Sequence, residues 1–63
     1  MSNTDSRRIS KVVREVGENL IMLMGIENAE FLLAIYGNPN RARNAPPYQN
    51  RQAERILEEY NLL

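Results

Sequence analysis

Sixty-three residues, 43% apolar and 25% charged, with eight basic and eight acidic side chains cancelling to a formal net charge of zero, make a chain too apolar for a disordered segment. It is also too neutral for a global field that would draw it to nucleic acid or an anionic membrane. The length supports one domain with a marginal core, and the absence of cysteine and histidine excludes disulfides and ordinary structural zinc sites, leaving self-association as the common remaining staple.

The stretch from Met1 to Lys11 is polar and has no apolar signal core, and no uncharged stretch approaches the ~20 residues that cross a bilayer, so a cytoplasmic protein without membrane contact is expected. Ile9, Val12, Val13, Val16, Leu20, Leu23 and Met24 recur at three- and four-residue steps, which predicts a first helix over residues 5–24. Thr4, Asp5 or Ser6 is its candidate cap. Arg7, Lys11 and Arg14 fall on the opposite stripe with Glu15 and Glu18, and the spacings Lys11–Glu15 and Arg14–Glu18 read as a solvated face. Gly17 in mid-helix costs roughly 1 kcal/mol against alanine, so it is either tolerated or admits the close approach of another helix.

Ile9, Val13, Val16, Leu20 and Leu23 fit a short a/d seam, which serves either a contact between protomers or one within the chain. The consecutive residues Leu20 to Met24 cover the helix nearly all round, and a single partner face cannot bury them all. The excess of Ile21 and Met22 favours a dimer. Gly25 is the expected terminator, with Ile26 against Ile21 as the hydrophobic contact of a Schellman ending.

The second helix is predicted over 27–36. Its apolar side chains span roughly 200° of arc, so it should be the central and most buried element. Residues 37–47 are rich in turn formers, lack apolar periodicity and read as a loop, with a short extended stretch around Arg41 to Asn44 as one option. Pro47 suits the first turn of a third helix over 47–61, whose stripe of Ala53, Ile56, Leu57, Tyr60 and Leu63 docks on the rest. Arg51, Glu54, Arg55, Glu58 and Glu59 face water.

Catalytic chemistry has little to draw on. Without histidine or cysteine, a nucleophile and base would come from serine, lysine, tyrosine or carboxylates, and no serine sits in G-x-S-x-G or S-x-x-K. The pairs Glu54–Glu58 and Glu27–Glu30 read as solvated carboxylates, so no metal or cofactor is expected. No glycine-rich phosphate motif is present. Arg41 and Arg43, with Arg51, Arg55 and the stacking candidate Tyr48, form one local basic cluster that could clamp phosphates. Charge neutrality favours a solubilising role or a protein contact instead.

From Met24 to Gly37 the chain reads Met-Gly-Ile-Glu-Asn-Ala-Glu-Phe-Leu-Leu-Ala-Ile-Tyr-Gly. With Gly25, Glu27, Ala29, Leu32, Tyr36 and Gly37 in matching places, this resembles the N-terminal region of the Mor/C family of phage transcription activators. The resemblance implies a helical dimerisation domain. The segment after Gly37 lacks that family's apolar strand, keeping only Pro46, and no recognition helix follows Gln52 to Leu63.

The expectation is therefore an all-α, three-helix protomer in a helix-packed or intertwined homodimer. Its core and interface should draw on Val13, Val16, Gly17, Leu20, Ile21, Leu23, Met24, Phe31, Leu32 and Ile35. The expected function is a non-enzymatic interaction protein, a phage or bacterial regulator or inhibitor, engaging a larger protein through Arg41, Arg43, Tyr48, Arg51 and Arg55. The alternative is a nucleic-acid-binding regulator that uses the same arginines.

Overall fold

The computed structural model describes residues 2–63, with side chains from residue 5 onward. The chain is all-α: α1 (Ser2–Val16), α2 (Asn19–Met24), α3 (Ile26–Tyr36), α4 (Pro39–Arg43) and α5 (Pro47–Glu59), with no strand among the described residues. Three expected helices are thus five.

The long first helix is divided at Gly17, whose φ of +60° is a left-handed conformation that glycine adopts without steric cost. Its N–H still donates to the Val13 carbonyl (2.8 Å), while its own carbonyl accepts from Leu20 (3.0 Å) and starts the next turn. A Cβ there would meet only the Arg14 carbonyl at 3.8 Å, so the glycine serves a turn, not the close approach of a helix. The Ile9-to-Leu23 seam consequently does not lie on one helix. At the other end α1 begins at Ser2, which puts Asp5 and Ser6 inside the helix instead of at its cap. The side chain of Thr4 lies outside the described residues.

Gly25 ends α2, but at φ 89°, ψ 162° it is extended and not left-handed α, and Ile26 begins α3 at once. The expected Schellman ending does not form there. It forms at the end of α5, where Asn61 takes φ 59°, the Leu62 N–H donates to the Leu57 carbonyl (2.9 Å) and the Asn61 N–H to that of Glu58 (3.0 Å). Helix α5 therefore stops at Glu59, two residues before its predicted end, and Leu62 folds back against the core.

The predicted loop contains α4 in place of any extended stretch. Asn38 caps it, its Oδ1 accepting the Asn40 N–H at 2.9 Å, and Pro39 occupies the first helical position, where a missing N–H is no loss. Ala42 points inward and is buried.

The core joins Ile9 and Val13 of α1, Leu20 and Met24 of α2, Ala29, Leu32, Ile35 and Tyr36 of α3, Ala42 of α4, and Ala53 and Leu57 of α5. Helix α1 packs against all four others, whereas α3 packs mainly on α1, α2 and α4. Helix α1 thus touches every other element, while α3 supplies four of the eleven core residues, although Phe31 and Leu33 are only half-buried and Ala34 is exposed. Of the stripe expected to dock, Ile56 on α5 and Leu63 beyond its end are half-buried, and Tyr60, which follows the helix, is exposed.

A polar junction sits inside this core where α1, α3 and α5 meet. Ser6 and Ser10, one turn apart on α1, and Asn50 on α5 are all buried. The Ser6 hydroxyl donates to Asn50 Oδ1 at 3.2 Å, and the Tyr36 hydroxyl donates to the same oxygen at 2.7 Å. The Ser10 hydroxyl donates to the Tyr36 carbonyl at 2.8 Å, satisfying one of the acceptors left open at the end of α3. These buried hydrogen bonds fix how three helices sit, because a slip leaves further polar atoms unpaired at about 1–3 kcal/mol each.

Candidate functional site

Helix α1 is two-sided. Ile9 and Val13, with Ser6 and Ser10, face inward, so the helical period places Arg7, Arg8, Lys11 and Arg14 on the outer side. The end of α4 lies against that side and adds Arg43. Together they line a cleft of about 420 Å³, floored by Ser10, Pro39 and Ala42. Five of the eight basic residues of a neutral chain are thus gathered on one cleft, and among the described residues no carboxylate lines it.

Sequence reasoning gave Arg7, Lys11 and Arg14 to a solvated face and looked for the basic cluster in the loop and α5. The structure divides that second set. Arg43 lines the α1–α4 cleft, while Arg51 and Arg55 line a smaller groove with Glu54 and Glu58. Arg41 lines neither, although all four arginines are exposed. Tyr48, 62% exposed, shares one face of α5 with Arg51 and Arg55 at spacings of three and seven residues.

The expected interface residues also separate. Val13, Leu20, Met24, Leu32 and Ile35 are buried within one copy, and Val16, Gly17 and Phe31 are half-buried. Only Ile21 and Leu23 remain outward, at 41% and 50% exposed, and they are joined by Met22 at 86% and Ile26 at 59%. These four flank Gly25, so the α2–α3 corner carries an apolar surface that the fold leaves in water. Isolated exposed apolar residues need no explanation, but four on one short corner, led by a nearly naked methionine, form a patch of the kind that marks an interaction site.

Among the described residues no three carboxylates come together as a metal site, and no helix is long and apolar enough to cross a membrane. Among the described residues, the one strongly perturbed titratable group is the phenol of Tyr36, which burial, and then the negative charge of Glu54, push up to about 12. It belongs to the internal junction and not to either surface. Comparison with known protein families, curated proteins and solved structures finds no match to this chain.

Proposed function

We propose that this chain is a non-enzymatic interaction protein that pairs with a second copy of itself through the α2–α3 corner and offers its polar helices to a larger protein. The observation that carries the reading is the exposure of Met22, 86% in water beside Ile21, Leu23 and Ile26. Covering a side chain of this kind is worth about 1.5–3 kcal/mol when complete. Eight partly exposed side chains, four per copy, then supply on the order of 10 kcal/mol, from which association removes at least about 4. A dimer held by this corner alone therefore dissociates at roughly tens of micromolar.

The outward face of α5 is the part of the surface suited to the larger partner. Tyr48, Arg51 and Arg55 are the residue types that dominate binding energy at protein interfaces, because rigid aromatic and planar guanidinium groups bury much area at low entropic cost. The helix-break-helix of α2 and α3, which contains the 24–37 segment's turn at Gly25, is compatible with the dimerisation region that the Mor/C resemblance implies, and a bacterial or phage regulator is the corresponding biological class.

Light scattering on size-exclusion fractions loaded across the micromolar range tests the pairing. The wild type is expected to grow in apparent mass with concentration, and Met22→Lys, at a side chain that lies 86% in water, to remain a folded monomer throughout. A wild type that stays monomeric up to millimolar loading contradicts the proposal.

A further inference from the structure

We infer that the cleft between α1 and α4 is a binding site for the phosphate backbone of a double-helical nucleic acid, engaged without regard to sequence. The arrangement is not one that folding requires. Arg7 and Lys11 are four residues apart, and Arg8–Lys11 and Lys11–Arg14 three, so each pair places like charges side by side on a helix and costs about 0.2–0.5 kcal/mol. The residues of α1 that build the core, Ile9 and Val13, lie on the other side. Arg43 is then brought up from a different helix to the same cleft. A merely solubilising surface would intersperse carboxylates, as the groove of Arg51, Glu54, Arg55 and Glu58 does. On α1 itself the exposed carboxylates beside the stripe stand at its two ends, Asp5 three residues before Arg8 and Glu15 four beyond Lys11, and neither lines the cleft.

The spacing suits a run of phosphates. From Arg7 to Arg14 the helix rises about 10 Å, which is close to the distance along a duplex axis over which one strand advances three nucleotides, at about 3.4 Å of axis each. Four of the five cations are arginine, whose planar fork meets phosphate oxygens two at a time.

The rest of the lining distinguishes among polyanions. A protein partner needs an apolar or aromatic anchor at the centre of its contact, and among the described residues the floor offers only Pro39, Ala42 and the already bonded Ser10. Single-stranded nucleic acid is held largely by stacking on aromatic side chains, and none lines the cleft. An anionic membrane would draw in a helix whose apolar face is free to insert, whereas that of α1 is consumed by the core. A duplex backbone, which asks for charge, donors and an approachable groove, fits what is present. The zero net charge of the chain removes long-range steering but leaves this local contact intact.

The test uses fluorescence anisotropy with random-sequence duplexes of about 20 base pairs, DNA and RNA in separate arms with the matching single strands beside them, titrated between about 50 and 200 mM salt. Two variants of equal net charge are compared: Arg7→Gln/Arg8→Gln/Lys11→Gln inside the cleft, and Arg41→Gln/Arg51→Gln/Arg55→Gln outside it. All six positions are exposed, and circular dichroism checks that both variants fold. Four to five phosphate contacts predict that wild-type affinity falls roughly 100- to 500-fold over that salt range. The cleft variant should lose about three-fifths of this salt slope and at least tenfold in affinity at the lowest salt, while the outside variant keeps the wild-type slope. Binding to either duplex with this pattern supports the site, and the stronger arm names the nucleic acid. No salt-sensitive binding to either duplex, equal losses in the two variants, or tighter binding to single strands than to duplexes would overturn it.

Discussion

Tyr36 shows how a single side chain serves two layers of this fold. Its ring is fully buried among the core residues, its hydroxyl donates to Asn50 Oδ1 at 2.7 Å, and its carbonyl receives the hydroxyl of Ser10. Ionising the phenol would place a negative charge where water cannot reach it, and near the charge of Glu54, and for these reasons the group is held protonated up to about 12 against an ordinary value of 10.0. The folded pKa lies above the unfolded one, so the stabilisation is fully present below pH 10 and is lost as the pH rises from 10 to about 12. Denaturant midpoints of the wild type should fall across that interval, and those of Tyr36→Phe should fall less steeply, from a lower starting stability. Equal slopes in the two proteins would contradict the burial of the phenol. The other members of the junction were hidden in the sequence because polar residues interrupt an apolar stripe. Ser6 and Ser10 nevertheless stand one turn apart, in register with Ile9 and Val13, and Asn50 stands three residues before Ala53. Small or polar residues on an otherwise apolar face were the available signal, and Asn50 Nδ2, buried without a hydrogen-bond partner in the protein, shows that the junction is not fully satisfied.

Among the elements, those with strong periodicity were legible and those set by backbone dihedrals were not. The apolar spacing of α1, the greasy run of α3 and the Pro47 start of α5 all correspond to helices in the structure. Gly17 was misread because the apolar pattern runs across it without interruption. Hydrophobic spacing reports which face is buried, whereas a φ of +60° is a local backbone choice that leaves no trace in that spacing. Helix α4 escaped for the opposite reason: with five residues and one buried alanine it has no period to detect, and only its Asn-Pro start, a cap followed by a first-turn proline, announces it. Gly25 carries the larger conformational demand, since φ 89° with ψ 162° is a region that essentially only glycine enters. Nothing lies within 4 Å of a Cβ built there, so Gly25→Ala should destabilise through backbone strain alone, by about 1–3 kcal/mol. Urea denaturation measures this, and an unchanged midpoint would show that the corner relaxes into another conformation.

At the scale of the molecule, a radius of gyration of 10.2 Å matches the roughly 11 Å of a closed globule of this length, so one copy does assemble a core. That core is small, and the fold completes it while leaving Ile21, Met22, Leu23 and Ile26 outside. The sequence made this excess visible as five consecutive apolar residues. It could not divide them, because the break at Gly17 and the turn at Gly25 decide that Leu20 and Met24 point inward while the three between them do not. The basic cleft was less legible still: its charges come from two helices, and the one sequence neighbourhood that looked basic, around Arg41, contributes Arg43 alone. The account rests most heavily on the α2–α3 corner meeting its own copy. Isotope-filtered NMR on an equimolar mixture of methyl-labelled and unlabelled protein, near millimolar concentration, reads that contact directly. Cross-copy contacts from the Met22 methyl to Ile21, Leu23 or Ile26 are the predicted result, and monomer line widths with no cross-copy contact at Met22 would contradict it.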